Sequence, residues 1–125
     1  MTNDELKLVL EEHRKWIAGE PDGKRAALRG ADLRGADLSY ANLREADLRG
    51  AALEFSAWPL CGGSLNVKID KRLACQLMYH ALRAMQSVDD PEVQEILAIP
   101  AVVKLANKFH RADECGEIQP MEGKK

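Results

Sequence analysis

The residues best suited to chemistry in this sequence are a row of short polar side chains at five-residue intervals, Asp32, Asp37, Asn42 and Asp47, with Glu45 and Glu54 close by. On a rigid support, carboxylates spaced in this way form a line of negative charge. Such a line can occupy a groove lined with Lys and Arg where a row of phosphates would otherwise lie. For any one of the acids, solubility and hydrogen bonding to its own backbone are sufficient explanation. The other reactive side chains form no constellation. His13, His80 and His110 fall in three separate helical segments, and His110 with Cys115 is a single ligand pair without the repeated spacing of a zinc site. Cys61-Gly62-Gly63-Ser64 places a thiol and a hydroxyl in a tight turn with no base near in sequence, which reads as a structural turn. The chain is therefore expected to be no enzyme and to need no cofactor and no metal.

The elements that position the acids follow from the period. Six consecutive units, starting at Ala26, Ala31, Ala36, Ala41, Ala46 and Ala51, carry Ala first and Leu third. A helix advances about 100° per residue, so five steps would leave successive leucines about 140° apart and scattered around its surface. A straight strand fails as well, because an odd spacing puts them on alternate faces. The chain must turn once per unit. If each unit is a short extended piece followed by a bend, Ala and Leu point to one side and the residue between them points away. The glycines at 30, 35 and 50 then serve the corner and do not cradle a phosphate.

These units resemble the pentapeptide-repeat family, whose pattern is Ala-(Asp/Asn)-Leu-X-X, over residues 26–55. The resemblance implies a mainly β fold with α caps: a right-handed quadrilateral β-helix of about two coils, four units per coil, with Leu and Ala inside. It also implies a register in which residues twenty apart stack, Leu28 on Leu48, Leu33 on Leu53, Leu38 on Trp58, Arg29 on Arg49, and Arg34 beside Glu54. Members of the family include topoisomerase-protecting and phage-encoded proteins that act as DNA mimics. The short solenoid is similar to a phage counter-defence protein of the anti-CRISPR kind, which implies an inhibitor occupying the DNA-binding site of a nucleic-acid-processing complex. On that reading the partner-binding residues are Asp32, Asp37, Asp47, Glu45, Glu54 and Tyr40. Between residues 26 and 65 four arginines, Arg29, Arg34, Arg44 and Arg49, stand against five acids, so mimicry would require segregated faces.

After Leu53 the pattern degrades into Ser56-Ala-Trp-Pro-Leu and Cys61-Gly-Gly-Ser-Leu. So short a solenoid needs caps at its ends. Residues 1–20 read as an N-terminal capping helix, with Leu6, Val9, Leu10, His13, Trp16 and Ile17 at helical spacing, Thr2 or Asn3 as N-cap and Gly19 as stop. Residues 21–69 are the repeat β-helix, ending in a short strand at 65–69. Residues 70–115 are C-terminal helices, one from Asp70 to near Ser87, one from Pro91 to about Ala98 and one from Pro100 to about His110. Residues 116–125 read as a flexible tail, and the whole chain as one domain.

Composition limits the partners. With 18 basic and 20 acidic residues the formal net charge is -2, so generic polyanion binding is not favoured. Direct nucleic-acid binding would rest on residues 66–88, where Lys68, Lys71, Arg72 and Arg83 outweigh Asp70, and on an Arg72-Gln76-Tyr79-Arg83 stripe. It ranks third, with topoisomerase protection. The expected partner is a protein, a DNA-binding complex first. The alternative is an interaction scaffold or oligomerisation module using the apolar corner residues Tyr40, Phe55 and Leu60, and a homodimer remains open. No apolar run reaches the roughly 20 residues of a membrane span. The acidic start of the sequence and the three cysteines suggest the cytoplasm.

Overall fold

The computed structural model describes residues 1–119, and the chain divides into two compact units, Met1–Asp70 and Lys71–Lys125. In the first unit, helix α1 (Asn3–Ile17) begins with a reciprocal cap. The Glu5 N–H donates to the Thr2 hydroxyl at 3.1 Å, and the Thr2 N–H donates to the Glu5 carboxylate at 3.2 Å.

From Ala26 onward the chain coils, and each unit closes its own bend. The Leu28 carbonyl accepts the Ala31 N–H at 3.1 Å, Leu33 that of Ala36 at 3.0 Å, and Leu43 that of Ala46 at 2.9 Å. Gly30, Gly35 and Gly50 take positive φ at the third position of these turns, the conformation a type II turn demands there. Four turns bring the chain back above its start. Leu28 N–H donates to Asp47, Leu33 to Ala52 and Leu38 to Ala57, while Asp47, Ala52 and Ala57 donate back to Ala26, Ala31 and Ala36. These pairs form parallel bridges at Ala27–Asp47, Asp32–Ala52 and Asp37–Ala57, so the twenty-residue register that the family resemblance implied runs through them. Leu28, Leu33, Leu38, Leu43 and Leu48 are buried inside the coil together with Ala26, Ala46 and Ala51.

The expected fold class is nevertheless corrected. Of the described residues 40% are helical and 6% extended, and they form no strand and no sheet, so the molecule is not a mainly β quadrilateral β-helix with helices as mere caps. The repeat itself supplies the physical reason. A turn hydrogen bond every five residues leaves only about three extended residues per unit, and one of them can bridge. Single bridges therefore never lengthen into a ladder. The expected strand at 65–69 is likewise one bridge, Lys68 beside Asp47.

The register also slips where the sequence pattern fails. Leu43 N–H donates to Gly63 at 2.7 Å and the last bridge joins Asp47 to Lys68, so one extra residue is accommodated between Ala57 and Gly63. Gly63 passes so close to the coil below that a Cβ on it would stand 2.4 Å from the Ala41 carbonyl oxygen and 2.8 Å from Pro59 Cβ. Gly63 is required by this close approach, and Gly62 by its positive φ of 78°.

The second unit contains α2 (Lys71–Met85), α3 (Pro91–Leu97), α4 (Pro100–Ala106) and the short α5 (Ala112–Cys115). Asp90 caps α3, its carboxylate accepting the Glu92 N–H at 2.9 Å and the Val93 N–H at 3.2 Å, with Pro91 first in the helix. Tyr79, Leu82, Leu97, Val103, Ala106, Phe109, Ala112 and Ile118 make its core. Helix α4 stops four residues short of the expected His110, and α5 follows beyond the last helix expected from the sequence.

The flexible tail is corrected at its start. Ile118 is buried, its N–H donating to Asn107 Oδ1 and its carbonyl accepting from Asn107 Nδ2, both at 2.8 Å. Residues 120–125, the remainder of that expected tail, lie outside the described residues. No helix among the described residues is long and apolar enough to cross a membrane.

Candidate interaction face

Every outward polar residue of the repeat does the same local work. The side-chain oxygens of Asp32, Asp37, Asn42 and Asp47 accept the backbone N–H two residues on, from Arg34, Ser39, Arg44 and Arg49, at 3.2, 3.0, 3.2 and 3.2 Å. This Asx turn begins each corner. What happens to the rest of the carboxylate depends on the residue doing the donating.

At Asp32 the Arg34 guanidinium folds back in a fork, Nε to Oδ1 at 2.8 Å and Nη2 to Oδ2 at 2.8 Å. At Asp47 the Arg49 guanidinium repeats it at 2.9 and 2.8 Å. Charge-assisted forks of this kind are the strong form of the Arg–carboxylate pair. They hold the Asp32 and Asp47 carboxyls well below the usual range, the fork being the main cause in both, with the backbone N–H adding to it and burial opposing it. The two arginines are pushed up correspondingly by the same bonds.

Asp37 is different. Ser39 supplies both its N–H and its hydroxyl to Oδ1, the hydroxyl being the larger cause of a lowered carboxyl pKa, and among the described residues no cation pairs with it. Its Oδ2 takes no hydrogen bond from the described residues.

The row of negative charge expected from the sequence is therefore not displayed as a row. Asp47 is only 5% exposed, covered where Lys68 bridges beside it, and Asp32 is neutralised by its own arginine. Glu54 is half-buried. Glu45 is exposed at a corner and, like Phe55 and Asn66, holds a left-handed backbone, φ 61°, where other corners use Gly. The six expected partner-binding residues do not share one side of the coil: Asp37 and Tyr40 lie on the side of units 36–40 and 56–60, Asp32 and Glu54 on that of 31–35 and 51–55, and Glu45 and Asp47 on the other two. The missed signal was local: Asp-Leu-Arg at 32–34 and 47–49 puts acid and base on the two arms of one tight bend.

The side containing Asp37 has a second character. It is made by residues 36–40 in the lower coil and 56–60 in the upper, joined at the Asp37–Ala57 bridge. Phe55 opens it from the preceding corner, where the Gly35 N–H donates to the Glu54 carbonyl at 2.9 Å. Tyr40 is fully exposed, Phe55 is 88% and Leu60 87% exposed. Below Asp37 the side continues into an open cleft of about 380 Å³ against α1, where Lys7, Leu10, Ser39 and Tyr40 are among the lining residues.

The remaining candidates lie elsewhere. His13 is buried and its ring joins two backbone groups of the coil, the Ala26 N–H at 3.0 Å and the Arg44 carbonyl at 2.7 Å. Tyr79 and Gln76 are buried, so the Arg72-Gln76-Tyr79-Arg83 stripe is not a surface. Tyr79 and Arg83 both donate to the Gly116 carbonyl, at 2.6 and 3.2 Å. Among the described residues no group of three His, Cys, Asp or Glu side chains is placed to hold a metal ion, and Cys61, Cys75 and Cys115 are free thiols.

Comparison with known proteins agrees with this coil and is confined to it. No curated protein and no solved structure matches the chain. The family model described as Pentapeptide repeats (8 copies) matches residues 24–56, so the likeness to pentapeptide repeats covers about a quarter of the sequence.

Proposed function

We propose that this protein is a non-enzymatic binding module that holds a protein partner on the side of its coil made by residues 36–40 and 56–60. A pentapeptide-repeat segment is a protein-interaction or structural module. The observation that carries the reading is the near-complete exposure of Tyr40, Phe55 and Leu60 at the two corners that bound one side of a coil whose interior is closed. Large apolar side chains grouped on a surface cost solvation and mark contact sites, and aromatic residues supply much of the energy of protein interfaces. A coil stiffened by turn and bridge hydrogen bonds presents them at little ordering cost.

The phosphate-mimic reading, with a DNA-binding complex or a CRISPR effector as its target, is supported only by Asp37 and Glu45, the two exposed acids on the coil without an arginine fork. A charge row interrupted at Asp32 and Asp47 is a poor copy of a phosphate backbone, so the apolar face ranks first.

Salt and substitution test this together. Tagged protein is used to recover partners from nuclease-treated host lysate at low and high salt, beside a Tyr40→Ser, Phe55→Ser, Leu60→Ser variant. The apolar reading expects a protein that survives high salt with the wild type and is lost with the variant. Recovery of a second copy of the chain by the same face makes the module a homodimer. A partner lost at high salt and retained by the variant overturns the apolar reading in favour of mimicry.

A further inference from the structure

We infer that the partner seats an arginine side chain on the Asp37 carboxylate, between the Tyr40 and Phe55 rings. The inference rests on the protein-binding reading above and names the chemistry of what is bound.

The argument begins with the chain's own use of this position. Asp32 and Asp47 occupy the same place in their units as Asp37, and each holds a guanidinium through two bonds of 2.8 to 2.9 Å. The outward carboxylate of the repeat is thus shaped to take an arginine fork, twice over in this chain. At Asp37 the residue two positions on is Ser39, which satisfies Oδ1 and the turn and brings no positive charge. Neither Oδ2 nor the negative charge has a counterpart there among the described residues.

That acid lies on the side whose two corners carry the exposed rings. An arginine guanidinium is flat, weakly hydrated and able to stack on an aromatic face while its edge forks a carboxylate, whereas a lysine ammonium does neither as well. The rings and the acid together fit one kind of side chain. The nearby charges are compatible with it. Of the cations lining the cleft below, Arg14 is engaged by Glu11 and Glu20, and Lys7 repels an incoming cation from that lower end, so the guanidinium enters over the upper, Phe55 side. A phosphate-bearing partner is disfavoured by the same carboxylate.

The probe is the peptide acetyl-Gly-Arg-Gly-amide, with its citrulline analogue, equal in shape and uncharged, as control, titrated into isotopically labelled full-length protein at low salt and followed by amide chemical shifts. The expected result is saturable shifts at Ser39, Tyr40 and Ala41 with the arginine peptide, none with the citrulline peptide, and at least a fivefold weaker effect in Asp37→Asn. That variant keeps the turn, because Asn42 makes the same cap to Arg44 in this chain. Equal shifts around Asp32 and Asp37, equal shifts with citrulline, or an unchanged titration in Asp37→Asn overturns the inference. If Asp37→Asn keeps full partner recovery while the Tyr40, Phe55, Leu60 variant loses it, the face binds protein without the arginine, and only the inference falls.

Discussion

The Nε2 of His13 donates to the carbonyl oxygen of Arg44 at 2.7 Å, and the Nδ1 of the same ring accepts the Ala26 N–H at 3.0 Å. One neutral imidazole, protonated on Nε2, thus ties the first residue of the coil to its fourth bend. Trp16 stacks on the ring with centroids 5.6 Å apart, which helps to hold it in place. A lowest coil has no coil beneath it to satisfy such groups, and α1 supplies the substitute from a side chain.

Replacing His13 by Ala leaves a buried N–H and a half-buried carbonyl without the imidazole that joins them. Each such loss costs about 1–3 kcal/mol, so His13→Ala should lower stability by about 3 kcal/mol in urea unfolding. His13→Phe fills the space and should fare little better, because the deficit is polar. A loss under about 0.5 kcal/mol for His13→Ala would mean that water replaces the imidazole freely.

His13 shows what the sequence makes legible and what it conceals. The five-residue period was enough to derive the turn per unit and the inward-facing leucines, because a strict period propagates. The twenty-residue register and the mainly β class came with the family resemblance, and neither it nor the period tells how few residues remain extended between bends. His13 read as one more residue of a helix face; nothing in its spacing tells that its ring meets Ala26 and Arg44, 13 and 31 residues on. The acids were legible as a row and their neutralisation was not. That depended on Arg34 and Arg49 folding back by two positions, a matter of turn geometry. The exposed corners Tyr40, Phe55 and Leu60 were readable directly, because an odd period fixes which residue points outward at each bend.

Acid should unfold the first unit through its carboxylates. Asp32, Asp37 and Asp47 have folded-state pKa values below the ordinary value near 4, so the unfolded chain binds more protons than the folded one as pH falls. Their contribution is complete above about pH 5 and is lost progressively below about pH 4. Urea midpoints measured from pH 7 to 2.5 should stay level and then fall, and an Asp32→Asn, Asp47→Asn variant should show a shallower fall. An identical acid limb in that variant would assign the transition to other groups.

In the second unit, Asn107 holds Ile118 by both backbone groups in the manner of a one-residue bridge. Asn107→Ala removes both partners while leaving α4 intact up to its cap, and should cost about 2 kcal/mol. Amide exchange is the sharper readout. The Ile118 N–H should lose its protection in the variant while amides inside α2 keep theirs, and retained protection at Ile118 would show that apolar burial alone docks the segment.

Phe55 sets stability against binding. Its φ of 61° lies in the left-handed region that Gly30, Gly35 and Gly50 occupy at the other corners, and its ring is 88% exposed. A bulky side chain in that conformation is strained by about 1 kcal/mol or more, with no burial to offset it. Phe55→Gly removes the strain, partly offset by the greater freedom of Gly in the unfolded chain, and should raise stability by about 0.5–1 kcal/mol. The same change deletes one wall of the proposed arginine seat and should weaken partner recovery. Glu45→Gly is the control. It relieves a left-handed backbone of the same φ at a corner outside the face, so it should stabilise comparably and leave binding unchanged. If Phe55→Gly stabilises and binding persists undiminished, the exposed ring is not a contact residue, and the face must bind through Tyr40 and Leu60 alone.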